Sequence, residues 1–149
     1  MRHGEWDMPF SGRAHYDIGL DVWVGLHETI GPYGGCMTDG YLCCCDVVSP
    51  DGTFVQPTSK LCAEKLFDPR TSVRLVYMGD SNYCLVEFQR AKGWRSMDIS
   101  NKREILVRTF RLKYGKNGEL TITSRRPKRS YLFSSFYERE HCNVRAFWM

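Results

Sequence analysis

The stretch ILVRTFRLKYGKNGELTITS, Ile105 to Ser124, decides the fold. Apolar and polar residues alternate on both sides of Gly115-Lys116-Asn117-Gly118, and a period of two belongs to strands rather than helices. A two-residue Asn117-Gly118 loop would set Lys113 against Ile122 and mix the two faces. A three-residue loop opposes Tyr114 to Leu120 and Leu112 to Ile122. It also aligns Lys113 with Thr121 and Arg111 with Thr123. Register follows the hydrophobic pattern, so the longer loop is expected, with Gly118 in the left-handed conformation. The polar face then carries Arg111, Lys113, Thr121 and Thr123, with Arg125 beyond.

Upstream, Val73–Met78 and Tyr83–Phe88 form a second hairpin around Gly79-Asp80-Ser81-Asn82. A register with Leu75 opposite Val86 also sets Arg74 opposite Glu87, a favourable cross-strand pair. Both faces are largely apolar, which points to a central position. Further upstream, Tyr16, Ile18, Leu20, Val22, Val24 and Leu26 alternate with polar residues and glycines, so 15–27 reads as one long strand. Gly31-Pro32-Tyr33-Gly34-Gly35 is a loop, and Tyr41–Val48 is a compact apolar strand ended by turn residues at Pro50-Asp51-Gly52. A short strand at Thr53–Gln56 can follow.

One helix is expected near residues 59–67. Thr58 or Ser59 can cap it, Leu61, Cys62, Leu66 and Phe67 give it an apolar side, and Asp68-Pro69 stops it. Tyr131–Tyr137 and Asn143–Trp148 are further strand candidates. The expected fold is mainly β: an antiparallel β-sandwich or partly open barrel of about eight strands with that one short helix. Residues 1–149 read as a single β domain with a short N-terminal arm at about 1–14. No internal repeat, low-complexity tract or linker is visible.

The chain has 149 residues, 42% hydrophobic and 26% charged, which is ordinary for a globular protein. The sequence MRHGEWDMPF lacks the apolar centre of an export signal, and no apolar run is long enough to span a membrane. The seven cysteines are odd in number and three are consecutive, unlike a disulfide framework. The expected location is therefore intracellular, cytoplasmic or nuclear, with reduced thiols.

Charge is uneven. Residues 1–74 hold 6 Lys/Arg against 10 Asp/Glu, a net of −4, and residues 75–149 hold 15 against 7, a net of +8. The densest cluster is Arg125-Arg126-Pro127-Lys128-Arg129, where proline argues for an exposed loop. Such runs serve nuclear import or phosphate contact, or merely solvate a loop. Arg111 and Lys113 extend the patch. Interleaved aromatics could stack on bases, although most of them belong in a core.

Other chemistry finds little support. Cys43 and Cys45 share one face of a strand and could hold zinc with Cys36 or His141 and Cys142, but no ligand spacing matches, and buried thiols filling a strand are the simpler reading. Cys142 has His141 as neighbour, yet adjacent strand residues point to opposite faces, so His27 or another base would be needed. Gly31–Gly35 is neither a GxGxxG nor a Walker A loop, and Asp17, Asp21, Asp39, Asp46 and Asp51 form no EF-hand. The expectation is a non-enzymatic binding protein without cofactor or metal. It contacts nucleic acid, RNA included, through Arg111, Lys113, Arg125, Arg126, Lys128 and Arg129. The alternative is a protein-interaction or self-assembly module of viral matrix or accessory type, oligomeric through edge strands and through Trp6, Trp23, Phe147 and Trp148. A Cys- or metal-dependent enzyme ranks third.

Overall fold

The computed structural model describes residues 2–3, 6–47, 57–90 and 102–134. Their eleven strands are β1 (Arg2–His3), β2 (Trp6–Asp7), β3 (Phe10–Asp17), β4 (Val22–Ile30), β5 (Cys36–Asp46), β6 (Ser59–Leu61), β7 (Ser72–Tyr77), β8 (Asn82–Arg90), β9 (Lys102–Tyr114), β10 (Leu120–Thr123) and β11 (Arg129–Ser134). All ladders are antiparallel. β1 pairs with β2, and of the two main sheets one runs β3-β4-β5-β6 and the other β7-β8-β9-β10, with β11 paired to β9. The mainly β architecture stands as two sheets that do not close into a barrel.

The deciding hairpin has the expected register. Tyr114 faces Leu120, Lys113 faces Thr121, Leu112 faces Ile122 and Arg111 faces Thr123. Gly118 has φ 75° and its N–H donates to the Gly115 carbonyl.

Three expectations are corrected. First, 15–27 is not one strand: β3 ends at Asp17 and β4 starts at Val22. The buried Asp17 carboxylate accepts the N–H groups of Gly19 and Leu20, and Asp21 sits at φ 54°, so the chain reverses. Ile18 consequently lies on the surface, 78% exposed. Second, the β7–β8 register is shifted by one residue. Leu75 faces Leu85, and Val86 faces Arg74. Gly79, Asp80 and Ser81 all have positive φ, and Asn82 closes the loop by bonding Met78. Third, no helix forms at 59–67. Ser59, Lys60 and Leu61 pair with Cys45, Cys44 and Cys43, and Leu66 and Phe67 reach the core from an irregular connection. Hydrogen bonds across to β5 stabilise this segment where a short isolated helix would be marginal.

Phe10–Ala14, expected in an arm, belongs to β3. Strand β5 begins earlier than expected, at Cys36. The expected strands at 53–56 and 143–148 and the turn at 50–52 lie outside the described residues.

The core lies between the sheets. Val22, Val24, Leu26, Leu42 and Cys44 of the first meet Val73, Leu75, Tyr83, Leu85, Phe110, Leu112, Leu120 and Ile122 of the second. Fully burying one such side chain is worth about 1.5–3 kcal/mol. A smaller cluster of Met8, Phe10, Cys43 and Cys45 fills the other side of the first sheet.

The two sheets share one plan, a structural repeat invisible in the sequence. Each contains a four-stranded meander in the same strand order, to which the second adds β11. The first strands lie together, with His15 bonded to the Leu75 carbonyl at 3.1 Å. The first turns also meet, where the Ser81 hydroxyl donates to Asp17 at 2.9 Å. The last strands adjoin through a bridge between Cys62 and Leu120. In the first sheet Tyr16 pairs with Trp23 beside the turn, and their rings are 5.6 Å apart. In the second, Tyr77 pairs with Tyr83 beside the turn, and those rings are 5.2 Å apart. Across the next ladder, Trp23 faces Cys45 and Tyr83 faces Phe110. Tyr83 and Phe110 point toward the first sheet, whereas Trp23 and Cys45 point away from the second. Equivalent faces therefore point the same way, and the sheets are stacked in the same sense.

Candidate binding surfaces

The six basic residues expected to act together are divided by the structure. Arg111 and Lys113 stand two apart on β9, so they share its outer face. Both are exposed, beside a hollow of ≈ 550 Å³ lined also by Gly19, Asp80, Ser81, Thr123 and Ser124. Asp80, Ser81 and Ser124 have φ of 49°, 59° and 49°, uncommon for residues other than glycine. The Thr123 hydroxyl bonds the Arg111 carbonyl, which keeps that strand edge in place.

Arg125 and Lys128 are engaged elsewhere. The Arg125 guanidinium is paired with Glu64. Lys128 Nζ lies 3.2 Å from Glu87 Oε1. Glu87 is a buried carboxylate, its side chain 5% exposed, and Arg108 donates to it at 2.8 Å. Arg108 also donates to the Leu66 carbonyl at 2.6 Å, which anchors the connection after β6 to the second sheet. This cluster floors an open groove of ≈ 790 Å³ walled by Lys65, Asp68, Arg70, Gln89 and Leu106. Arg70 grips Asp68 through two side-chain bonds, which hold the Asp68 carboxyl down to about 2. Arg126 and Arg129 are exposed on the run beside β9, and the Arg126 N–H donates to the Thr109 carbonyl. Register pairs Arg129 with Val107 and Tyr131 with Ile105, so both join the outer face. Proline in 125–129 fits this break between β10 and β11, as expected of an exposed loop.

The outer face of the second sheet went unnoticed in the sequence. It carries Arg74 and Val76 from β7, Cys84, Val86 and Phe88 from β8, and Ile105, Val107 and Thr109 from β9. Val86 is buried and the other apolar residues are half-buried. None of these residues belongs to either core cluster. Its signal in the sequence was the two-sided apolar character of the β7–β8 hairpin, which demands cover on both sides.

The thiols sort by strand alternation, as expected. Cys43 and Cys45 face the Phe10 cluster and Cys44 faces the main core. Burial pushes the Cys43, Cys44 and Cys45 thiols up, away from the thiolate a metal needs. Cys43 donates weakly to the Pro9 carbonyl at 3.4 Å. Cys36 is exposed at the far end of β5, and no group of three metal-ligating side chains occurs among the described residues. His141, Cys142, Phe147 and Trp148 lie outside the described residues. His27 Nδ1 bonds Asp39 at 2.7 Å, and Trp23 packs against Tyr16 with the two rings tilted by 51°. Gly31–Gly35 is a loop, closed by the Gly31 N–H on the Gly35 carbonyl. No helix among the described residues is long and apolar enough to cross a membrane.

No curated protein and no solved structure matches the chain. A family model does match, over residues 1–131, and on that extent the chain belongs to the family described as protein of unknown function (DUF1668).

Proposed function

We propose that the chain is a non-enzymatic protein-interaction module whose working surface is the outer face of the second sheet. The observation that carries this reading is the same-sense stack. Cys84, Val86, Val107 and Thr109 stand where Val24, Leu26, Leu42 and Cys44 stand in the first sheet, and those four build the core. A sheet surface of that composition is made to be covered. Arg74, Arg111 and Lys113 rim it with exposed charge, as interface rims are. Stability of Val107→Glu at high dilution tests the reading. An open face predicts a loss under about 1 kcal/mol, in the range of surface substitutions. A loss of about 3 kcal/mol or more would mean a carboxylate forced into a dry interior, and the face would be closed within the chain.

A second reading, phosphate contact by nucleic acid, is favoured by one feature: Arg111 and Lys113 side by side at a hollow that also offers the Thr123 and Ser124 hydroxyls. Arg126 and Arg129 could extend the track, while Glu64 and Glu87 withdraw Arg125 and Lys128 from it. Fluorescence anisotropy with labelled single- and double-stranded RNA and DNA tests it. Binding that falls steeply with salt, and is lost on changing Arg111, Lys113, Arg126 and Arg129 to Ala, supports phosphate contact. No binding at low salt removes it.

A further inference from the structure

We infer that the partner for this face is a second copy of the chain, which presents the outer side of its first sheet, so that chains stack head to tail. The inference rests on the interaction-module reading above and adds the identity of the partner. Within one chain, the interface joins the face of the second sheet that carries Tyr77, Tyr83 and Phe110 among aliphatic residues to the aliphatic face of the first, with Val24, Leu26 and Leu42. Same-sense stacking leaves the complementary halves of that interface at the two ends. The first sheet turns Tyr16, Trp23 and Tyr41 outward, equivalent in kind to Tyr77 and Tyr83. The centre of that side is already filled by Phe10, Cys43 and Cys45, so the contact surface is the aromatic margin around it, where Tyr16 is 39% exposed and Trp23 and Tyr41 are half-buried. The second sheet turns Cys84, Val86, Ile105 and Val107 outward, equivalent in kind to Val24, Leu26 and Leu42.

Charge agrees with this pairing. The outward side of the first sheet carries Asp21, bonded to the Tyr16 hydroxyl, and Asp39, bonded to His27, against the basic Arg13. The outward side of the second sheet carries Arg74, Arg103, Arg111, Lys113 and Arg129. Residues 1–74 sum to −4 and residues 75–149 to +8. Like end on like end would set basic rim against basic rim, whereas head to tail sets opposite signs together. Such an interface is heterologous. It continues past two copies, into a ring where the rotation between sheets closes, as in radial arrays of four-stranded blades, and into an open array where it does not.

The experiment is light scattering on the eluting chain across a dilution series at low and high salt. It compares wild type, Arg74→Glu/Arg111→Glu and Val107→Glu. Head-to-tail stacking predicts mass above the dimer that falls with dilution and with salt. The double variant should need at least about tenfold more protein to associate, with Tm unchanged. A dimer that never grows and tightens with salt overturns the inference, because it means apolar pairing of identical faces. Monomer throughout, with Val107→Glu stably folded, also overturns it and leaves the face to a different protein. Monomer throughout, with Val107→Glu severely destabilised, overturns both the inference and the interaction-module reading.

Discussion

The Tyr83 hydroxyl donates a 2.8 Å hydrogen bond to the Asp17 carboxylate and thereby ties the second sheet to the first turn of the first sheet. The Ser81 hydroxyl and the N–H groups of Gly19 and Leu20 complete the set around a side chain with no exposed surface. Burial and then the hydrogen bond to Asp17 push the Tyr83 phenol up, which favours its protonated, donating form. Asp17→Ala should cost about 3 kcal/mol, because two buried hydroxyls and two backbone donors lose their acceptor at once. Tyr83→Phe should cost less, about 1–2 kcal/mol, since three donors remain on Asp17. Urea denaturation of the two variants checks the order.

Gly40 sits inside β5 at φ 95°, where an added Cβ would lie 2.4 Å from the Phe67 carbonyl oxygen. Its own carbonyl accepts the Leu66 N–H, so it anchors the connection that replaces the expected helix. Gly40→Ala should therefore lose about 2 kcal/mol or more from left-handed strain and the clash together. Thermal unfolding reads the change directly.

Glu87 balances two cations, Arg108 and Lys128. Glu87→Gln should cost about 3 kcal/mol, because it leaves the largely buried Arg108 without its counter-charge. Lys128→Ala should cost under about 1 kcal/mol, since Lys128 is nearly half exposed and Arg108 still neutralises the carboxylate. A double variant whose loss equals the sum of the two would contradict this arrangement.

Cys36 is exposed, yet its thiol is held above its ordinary value first by a hydrogen bond with Glu28 and then by that residue's charge. Alkylation needs the thiolate, so its rate should keep climbing at pH values where an ordinary thiol has levelled off. Glu28→Gln should raise the rate at neutral pH. Iodoacetamide labelling read by peptide mass spectrometry gives both results.

Much of the fold was legible because local chemistry and tertiary packing agreed. At 105–124 the turn residues and the amphipathic alternation select a single register, and the structure has it. At 73–88 both faces are apolar, so a one-residue slip costs no hydrophobic pattern. The three left-handed residues at Gly79, Asp80 and Ser81 decided it instead. At 15–27 the period of two runs straight through a turn made by a buried Asp17, a long-range feature no local pattern marks. The repeat was hidden because Tyr16 and Tyr77, Trp23 and Tyr83, or Leu42 and Val107 share character more than identity, and the intervening loops differ in length. The basic patch was legible as charge, but its counter-ions Glu64 and Glu87 come from distant segments, and only the tertiary structure shows that two of the six cations are engaged.

Cys84 lies on the outer face of the second sheet, next to Val86 along that face of β8, and reports on it directly. The decisive measurement is alkylation of Cys84 at alkaline pH in dilute and in concentrated protein, with the exposed Cys36 as internal reference. The account predicts that Cys84 reacts in dilute protein and becomes protected as the protein is concentrated, while Cys36 reacts alike in both. Cys84 labelling that ignores concentration, at whatever level, would contradict it.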